Sequence, residues 1–195
     1  MRSCVDVGEA HTTIRRGSWC PLTTRVAFLR AVNVGKRTTP NAKLIEIFRG
    51  LGYENVWTFI NSGNVIFDAT GSRGDLEHRI GAALEEAFGF EVTTFVRTAA
   101  ELRKVVALEP FTMADGDTYL VTFLQDAPSA ATTRTFEAAS NDFDTLVVHG
   151  REAHWHLRGK STDTTLKKAT WKLVGPFSTS RNITMLRKLV GKLDG

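Results

Sequence analysis

Seven polar side chains, gathered in two short stretches, are the first candidates for chemistry in this chain. The stretch Phe28-Leu29-Arg30-Ala31-Val32-Asn33-Val34-Gly35-Lys36-Arg37-Thr38-Thr39-Pro40 carries Arg30, Asn33, Lys36 and Arg37, and Asn61-Ser62-Gly63-Asn64 carries Asn61, Ser62 and Asn64. Together they offer guanidinium, ammonium, amide and hydroxyl donors, with no carboxylate among them. Such a set suits an anion or a polar ligand rich in acceptors. The same Asn, Ser and Gly residues also suit tight turns, because Gly and Asn tolerate positive φ. Residue types alone weigh the two readings evenly. Gly35-Lys36-Arg37-Thr38 is not a Walker-type loop. That motif needs a glycine where Arg30 stands, and Pro40 starts the following helix too late.

A second cluster is weaker. If Gly150-Arg151 is a hairpin turn, then His149, Glu152, His154 and His156 share one face of the two strands, opposite Leu146, Val148, Ala153, Trp155 and Leu157. Three imidazoles and a carboxylate are ligands a divalent metal accepts. His154 and His156 are one strand repeat apart, however, which is long for sharing an ion. A solvated polar face is the stronger expectation, so neither metal nor cofactor is assigned. Covalent catalysis has little support: both cysteines, Cys4 and Cys20, lie in the N-terminal tail, and no Gly-x-Ser-x-Gly elbow exists. Base stacking of the RNA-recognition type needs several aromatics on the third strand, and Asn64-Val65-Ile66-Phe67 supplies one.

The elements that must position these residues follow from periodicity. Val26–Val32 is a nearly continuous apolar run, hence a strand covered on both faces. Thr39 as N-cap and Pro40 in the first turn suit the start of a helix carrying Leu44, Phe48 and Leu51, stopped by Gly52. Val56–Ile60 and Val65–Phe67 are strands around the Asn61–Asn64 turn. A helix from Asp75 to Phe88, a strand Val92–Arg97 and a capping box Thr98-Ala99-Ala100-Glu101 come next. The order β-α-β-β-α-β is ferredoxin-like. In that topology strands one and two run parallel with strand three between them, so the loop leaving strand one and the turn after strand two share an edge.

The pattern then restarts. Tyr119–Leu124 reads as a strand, Ser129–Ala139 as a helix, and Phe143–His149 with Glu152–Leu157 as a hairpin. A helix from Asp163 to Val174 and a terminal helix from Ile183 to Leu193 follow, with no obvious closing strand. The expectation is an α+β protein of two ferredoxin-like lobes, the second incomplete and ending in a helix. The segments are a poorly ordered tail (1–24), a first lobe (25–97), a linker helix and loop (98–117) and a second lobe (118–195). Because strand one is apolar on both faces, the linker helix or the other lobe should cover its open side.

Composition sets the bounds. The 195 residues, 42% hydrophobic and 24% charged, are ordinary for a globular protein. The tail lacks an apolar signal region, no run approaches a membrane span, and two tail cysteines give no disulfide framework, so a cytoplasmic protein is expected. Residues 151–195 hold ten Lys/Arg against Glu152, Asp163 and Asp194, a net +7 that leaves −3 for the first 150 residues. A basic third can meet nucleic acid, though it more often marks the solvated face of amphipathic helices.

Several of these stretches together resemble the bacterial domain-of-unknown-function family numbered 1697. Its Leu-Arg-Gly-Ile-Asn-Val-Gly-Gly strand end is similar to Leu29–Lys36, its Leu-Gly to Leu51-Gly52, and its Gln-Ser-Gly-Asn-Val hairpin to Asn61–Val65. Phe88-Gly89-Phe90-Glu91-Val92, Val96-Arg97-Thr98, Glu109-Pro110-Phe111 and Thr179-Ser180-Arg181-Asn182-Ile183-Thr184 also look like family stretches. Ala31 and Lys36 stand where the family has glycines, and Ile183 where it has tryptophan. The resemblance implies a duplicated ferredoxin-like fold and no established activity. It adds Arg181 and Asn182 to the candidates, before a helix whose backbone N–H groups favour anions; Asn182 as a helix cap and Arg181 as a bridge between lobes explain them equally well. The functions to weigh are a small-ligand binder at the 33–39 loop and 61–64 hairpin, a nucleic-acid binder, and a protein-interaction module without catalysis.

Overall fold

The computed structural model of the chain describes residues 22–30, 32, 39–60 and 63–195. The first half contains β1 (Thr23–Leu29), α1 (Asn41–Gly50), β2 (Glu54–Thr58), β3 (Asn64–Ala69), α2 (Arg73–Phe88) and β4 (Thr94–Thr98). Its strands pair in the order β2-β3-β1-β4, every neighbour antiparallel. Strand pleating therefore splits β1 between two cores. Ala27 and Leu29 face α1 and α2 together with Val65, Phe67 and Val96. Val26 and Phe28 face the other way with Ile66 and Phe95. Local signals set the helix ends. The Ser72 hydroxyl accepts the Asp75 N–H and starts α2, and Gly89 at φ 72° stops it. Thr39 is not the cap of α1: Pro40 holds that position, and the buried Thr39 hydroxyl donates to the Val32 carbonyl, 3.3 Å.

The Thr98–Glu101 capping box starts α3 (Ala99–Ala107), with both reciprocal bonds present. The second half then repeats the first with β5 (Thr118–Leu124), α4 (Ala130–Glu137), β6 (Asp144–His149), β7 (Glu152–Leu157), α5 (Lys168–Leu173), β8 (Ser178–Asn182) and α6 (Ile183–Asp194). The sheet order β6-β7-β5-β8 matches that of the first lobe. The α+β class and the terminal helix stand as expected, but the second lobe is not incomplete. β8 is its closing strand, and pattern reading misses it because Ser-Thr-Ser-Arg-Asn has no apolar alternation. It is held at the sheet edge by its ladder to β5 and by the Thr122–Ser180 hydroxyl pair, 2.7 Å. The expected 163–174 helix also shrinks to α5. Thr164 donates to Asp144, 2.8 Å, and accepts the Leu166 N–H, 3.1 Å, and such local side-chain bonds compete with helix.

The two sheets stack face to face. Val26, Phe28 and Ile66 meet Tyr119, Val121 and Phe123, while α3 and α6 close the layer with Leu102, Val105, Leu186 and Leu189. The rings of Phe28 and Phe123 lie parallel at 4.2 Å, and both side chains are fully buried. Such burial stabilises by about 1.5–3 kcal/mol per ring. α4 and α5 cover the far face of the second sheet over Phe136, Leu146, Trp155 and Leu157. As expected, the open face of strand one is covered, by the other lobe as well as by the linker helix.

Candidate functional site

The end of β1 and the β2–β3 turn meet at one edge, as the crossover rule requires. The Leu29 N–H donates to the Gly63 carbonyl at 2.8 Å, and Val32 packs against Gly63. A Cβ on Gly63 would lie 2.5 Å from the Val32 methyl, and φ there is 69°, so glycine is required for both space and conformation. The anchor points of the two loops therefore touch. Of the residues predicted for this edge, Asn33, Lys36, Arg37, Asn61 and Ser62 lie outside the described residues.

Arg30 is half-buried at the edge. Its N–H donates to the Thr93 carbonyl, 2.9 Å, and its guanidinium lies over the Phe177 ring, 5.1 Å from the centroid. Among the described residues it makes no ion pair or side-chain hydrogen bond. Ile60, next in chain to the turn, is 54% exposed and has φ 58°. A β-branched residue in the left-handed region is strained.

Asn64, Arg181 and Asn182 have structural work. Asn182 caps α6, its side chain accepting the Thr184 N–H at 2.8 Å. Asn64 is fully buried, donates to the Phe59 carbonyl at 3.0 Å and accepts from Arg181 Nε at 2.6 Å. Arg181 also donates to the Leu29 carbonyl at 3.1 Å, and its guanidinium stands 5.5 Å from the Phe28 ring centroid. Burial pushes its pKa down to about 10.

Sequence reading missed the counterpart, Arg97. This side chain is fully buried and crosses in the opposite direction, from β4 into the second lobe. It donates to Glu152 at 2.5 Å, to the Leu124 carbonyl at 2.9 Å and to the Arg151 carbonyl at 3.1 Å, over the Phe123 ring. The registers match: Arg97 sits opposite Val26 and Arg181 opposite Val121, while Asn64 and Glu152 each sit opposite the stacked phenylalanine of their own lobe. Each lobe thus ends its sheet with an arginine that grips the first strand and the hairpin of the other. Val96-Arg97-Thr98 and Ser180-Arg181-Asn182, each an arginine followed by a helix cap, were the signal available.

On the polar face of the second hairpin His149 is exposed, but Glu152, His154 and His156 are not. The Tyr119 hydroxyl and His154 Nδ1 lie 2.5 Å apart, and His156 Nε2 lies 2.7 Å from Asp117 and stacks on Phe111. His154 is 1% exposed, and burial lowers its pKa to about 4 and raises that of Tyr119 to about 12. Alternation showed which residues share this face, but Glu152 is covered by Arg97 of the first lobe, and His154 and His156 by Tyr119, Phe111 and Asp117. Glu152, His154 and His156 point to Arg97, Tyr119 and Asp117, and among the described residues no group of three His, Cys, Asp or Glu is placed to hold a metal.

The basic third is divided. Arg151 pairs with Glu101 and Arg187 with Glu109, Lys168 and Lys172 lie on α5, and Lys188 and Lys192 on α6, on the other side of the second sheet. Among the described residues no helix is long and apolar enough to cross a membrane.

No protein of curated function matches the chain. Among solved structures, it is similar to the conserved bacterial protein SP0830 from Streptococcus pneumoniae, at 20% sequence identity and a TM-score of 0.70, over 90% of this chain and all of that one. That likeness speaks for the fold alone. A family model described as a protein of unknown function, DUF1697, matches residues 22–154, about two thirds of the sequence, and the chain belongs to that family.

Proposed function

We propose that the protein is a cytoplasmic binder of a small anionic or acceptor-rich ligand, held at the edge formed by the 33–39 loop and the 61–64 hairpin. The observation that carries this reading is Arg30. A guanidinium without an ion pair among the described residues is held over an aromatic ring beside the meeting point of the two loops. Stacking leaves its planar N–H fork available for an oxyanion. The strained, exposed Ile60 in the same hairpin supports the reading, because such strain gathers at binding sites. Asn33, Lys36, Arg37, Asn61 and Ser62 supply further donors from the two loops. Arg181 and Asn64 brace the edge from behind.

Thermal-shift screening with inorganic phosphate, nucleoside monophosphates and dicarboxylates tests this. At least one class should raise the melting temperature of the wild type, because a ligand of the folded state stabilises by mass action. The rise should vanish in Arg30→Ala and in the Asn33→Ala, Lys36→Ala double variant. If no compound stabilises wild type more than these variants, the reading fails.

A further inference from the structure

On the α6 side of the same hairpin, Phe59, bonded through its backbone to Asn64, and the last turns of α6 enclose an open hollow of about 440 Å³, lined by Phe59, Lys188, Gly191, Lys192 and Gly195. A space of this size matches small-molecule pockets. Its floor is aromatic, and Trp57 meets Phe59 edge to face at 6.4 Å. Its wall is cationic. Lys188 and Lys192 stand one helical turn apart and are exposed, and neither makes an ion pair among the described residues. Between them comes Gly191, inside a helix, where glycine is less stable than alanine by roughly 0.5–1 kcal/mol. Packing does not require it, for a Cβ there would meet nothing within 4 Å. The missing side chain keeps the space beside Phe59 open.

We infer that this hollow binds a planar aromatic acid, its ring on Phe59 against the bare helix at Gly191 and its carboxylate between Lys188 and Lys192. A purely apolar occupant would leave the two ammonium groups unused, and an inorganic anion would leave the aromatic floor unused. One amphipathic anion satisfies both, by ring stacking and by charge. Arg30 is not among the residues that line it.

Calorimetric titration of the full chain with 2-naphthoate tests the inference, with neutral 2-naphthol and a short single-stranded oligonucleotide as comparison probes. Naphthoate should bind saturably below about 1 mM, and naphthol about tenfold more weakly. The Lys188→Gln, Lys192→Gln double variant should lose about tenfold for naphthoate only. Gly191→Leu should abolish binding without lowering the melting temperature, since leucine favours helix and fills the hollow. Arg30→Ala should leave naphthoate binding unchanged, so failure here and failure at the β1 edge are distinguishable. Should Gly191→Leu not fold, the double variant carries the same test. The inference is overturned by absence of saturable naphthoate binding to wild type, by naphthoate affinity insensitive to the lysine variants, or by oligonucleotide binding through these lysines without naphthoate binding.

Discussion

The two lobes share strand order, register and a crossing arginine, yet they differ in what that arginine meets. Arg97 enters the second lobe and finds a carboxylate, Glu152, while Arg181 enters the first and finds an amide, Asn64. Next along the same strands, the first lobe presents Ile66 to the sheet–sheet layer and the second presents His154. Duplication thus preserved the geometry of the crossing but not its chemistry. The group that receives the arginine is ionic in the second lobe, with a titratable histidine beside it, and neutral in the first. The loops at the matching edges diverge as well. The first lobe spends Arg30 to Pro40 between β1 and α1, with three cationic residues, where the second uses only Gln125-Asp126-Ala127-Pro128-Ser129 and ties Asp126 to Arg73 at 3.2 Å. The cationic loop of the proposed ligand edge therefore has no counterpart in the second lobe.

Removing Arg97 should break that comparison most severely. Arg97→Ala leaves Glu152 without its guanidinium in a mostly buried position, and stranding one partner of a buried ion pair costs about 3–5 kcal/mol. Urea unfolding measures it, and a loss below that of Arg181→Ala would refute the asymmetry.

The next effect is pH dependence confined to the second lobe. His154 keeps a folded pKa of about 4, lowered first by burial and then by the nearby His149, against 6.5 for an ordinary histidine. The unfolded chain therefore binds the proton first. The contribution is fully present above pH 6.5 and is lost as the pH falls toward 4, on the order of 3 kcal/mol in all. His154→Gln, which keeps a partner for Tyr119 but does not titrate, should remove that part of the acid sensitivity. Unfolding midpoints at pH 7.5 and pH 4.5, compared between wild type and variant, decide it.

Arg181→Ala should cost less than Arg97→Ala, about 1–3 kcal/mol, because the groups it exposes at Leu29, Gly63 and Asn64 are carbonyl and amide oxygens. The helix caps that follow the two arginines sharpen the comparison most gently. Thr98→Ala and Asn182→Ala should each lose about 1 kcal/mol. Thr98→Ala should be the costlier, because Glu101 makes its cap reciprocal.

Much of this frame was legible in the residues themselves. The Thr98–Glu101 box, the Gly150 hairpin with His149 opposite Glu152, and the apolar spacing of β1, β3 and α2 are short-range patterns, and each forms as read. β8 was not legible, because a polar edge strand is specified by its neighbour rather than by its own alternation. The candidate edge was partly legible: topology alone brings the two loops together, and Gly63 packs against Val32 to do so. Arg181 as a bridge between lobes was one of the two readings open to it, but its partner Asn64 was not legible, because the two bond across 117 residues of chain.

Periodicity, turn glycines and caps alone therefore determined most of the elements, their order and which residues share a face, with β8 and the length of α5 as the exceptions. Such features depend on residues a few positions apart, so any chain with this pattern forms them. Only the tertiary structure decided what each face meets. His154 and His156 read as a wet surface until Tyr119, Phe111 and Asp117 covered them, and Arg97 read as an ordinary strand residue until Glu152 came within reach. A buried polar group is stable only with its partner, and the chain brings those partners together only when the two lobes close.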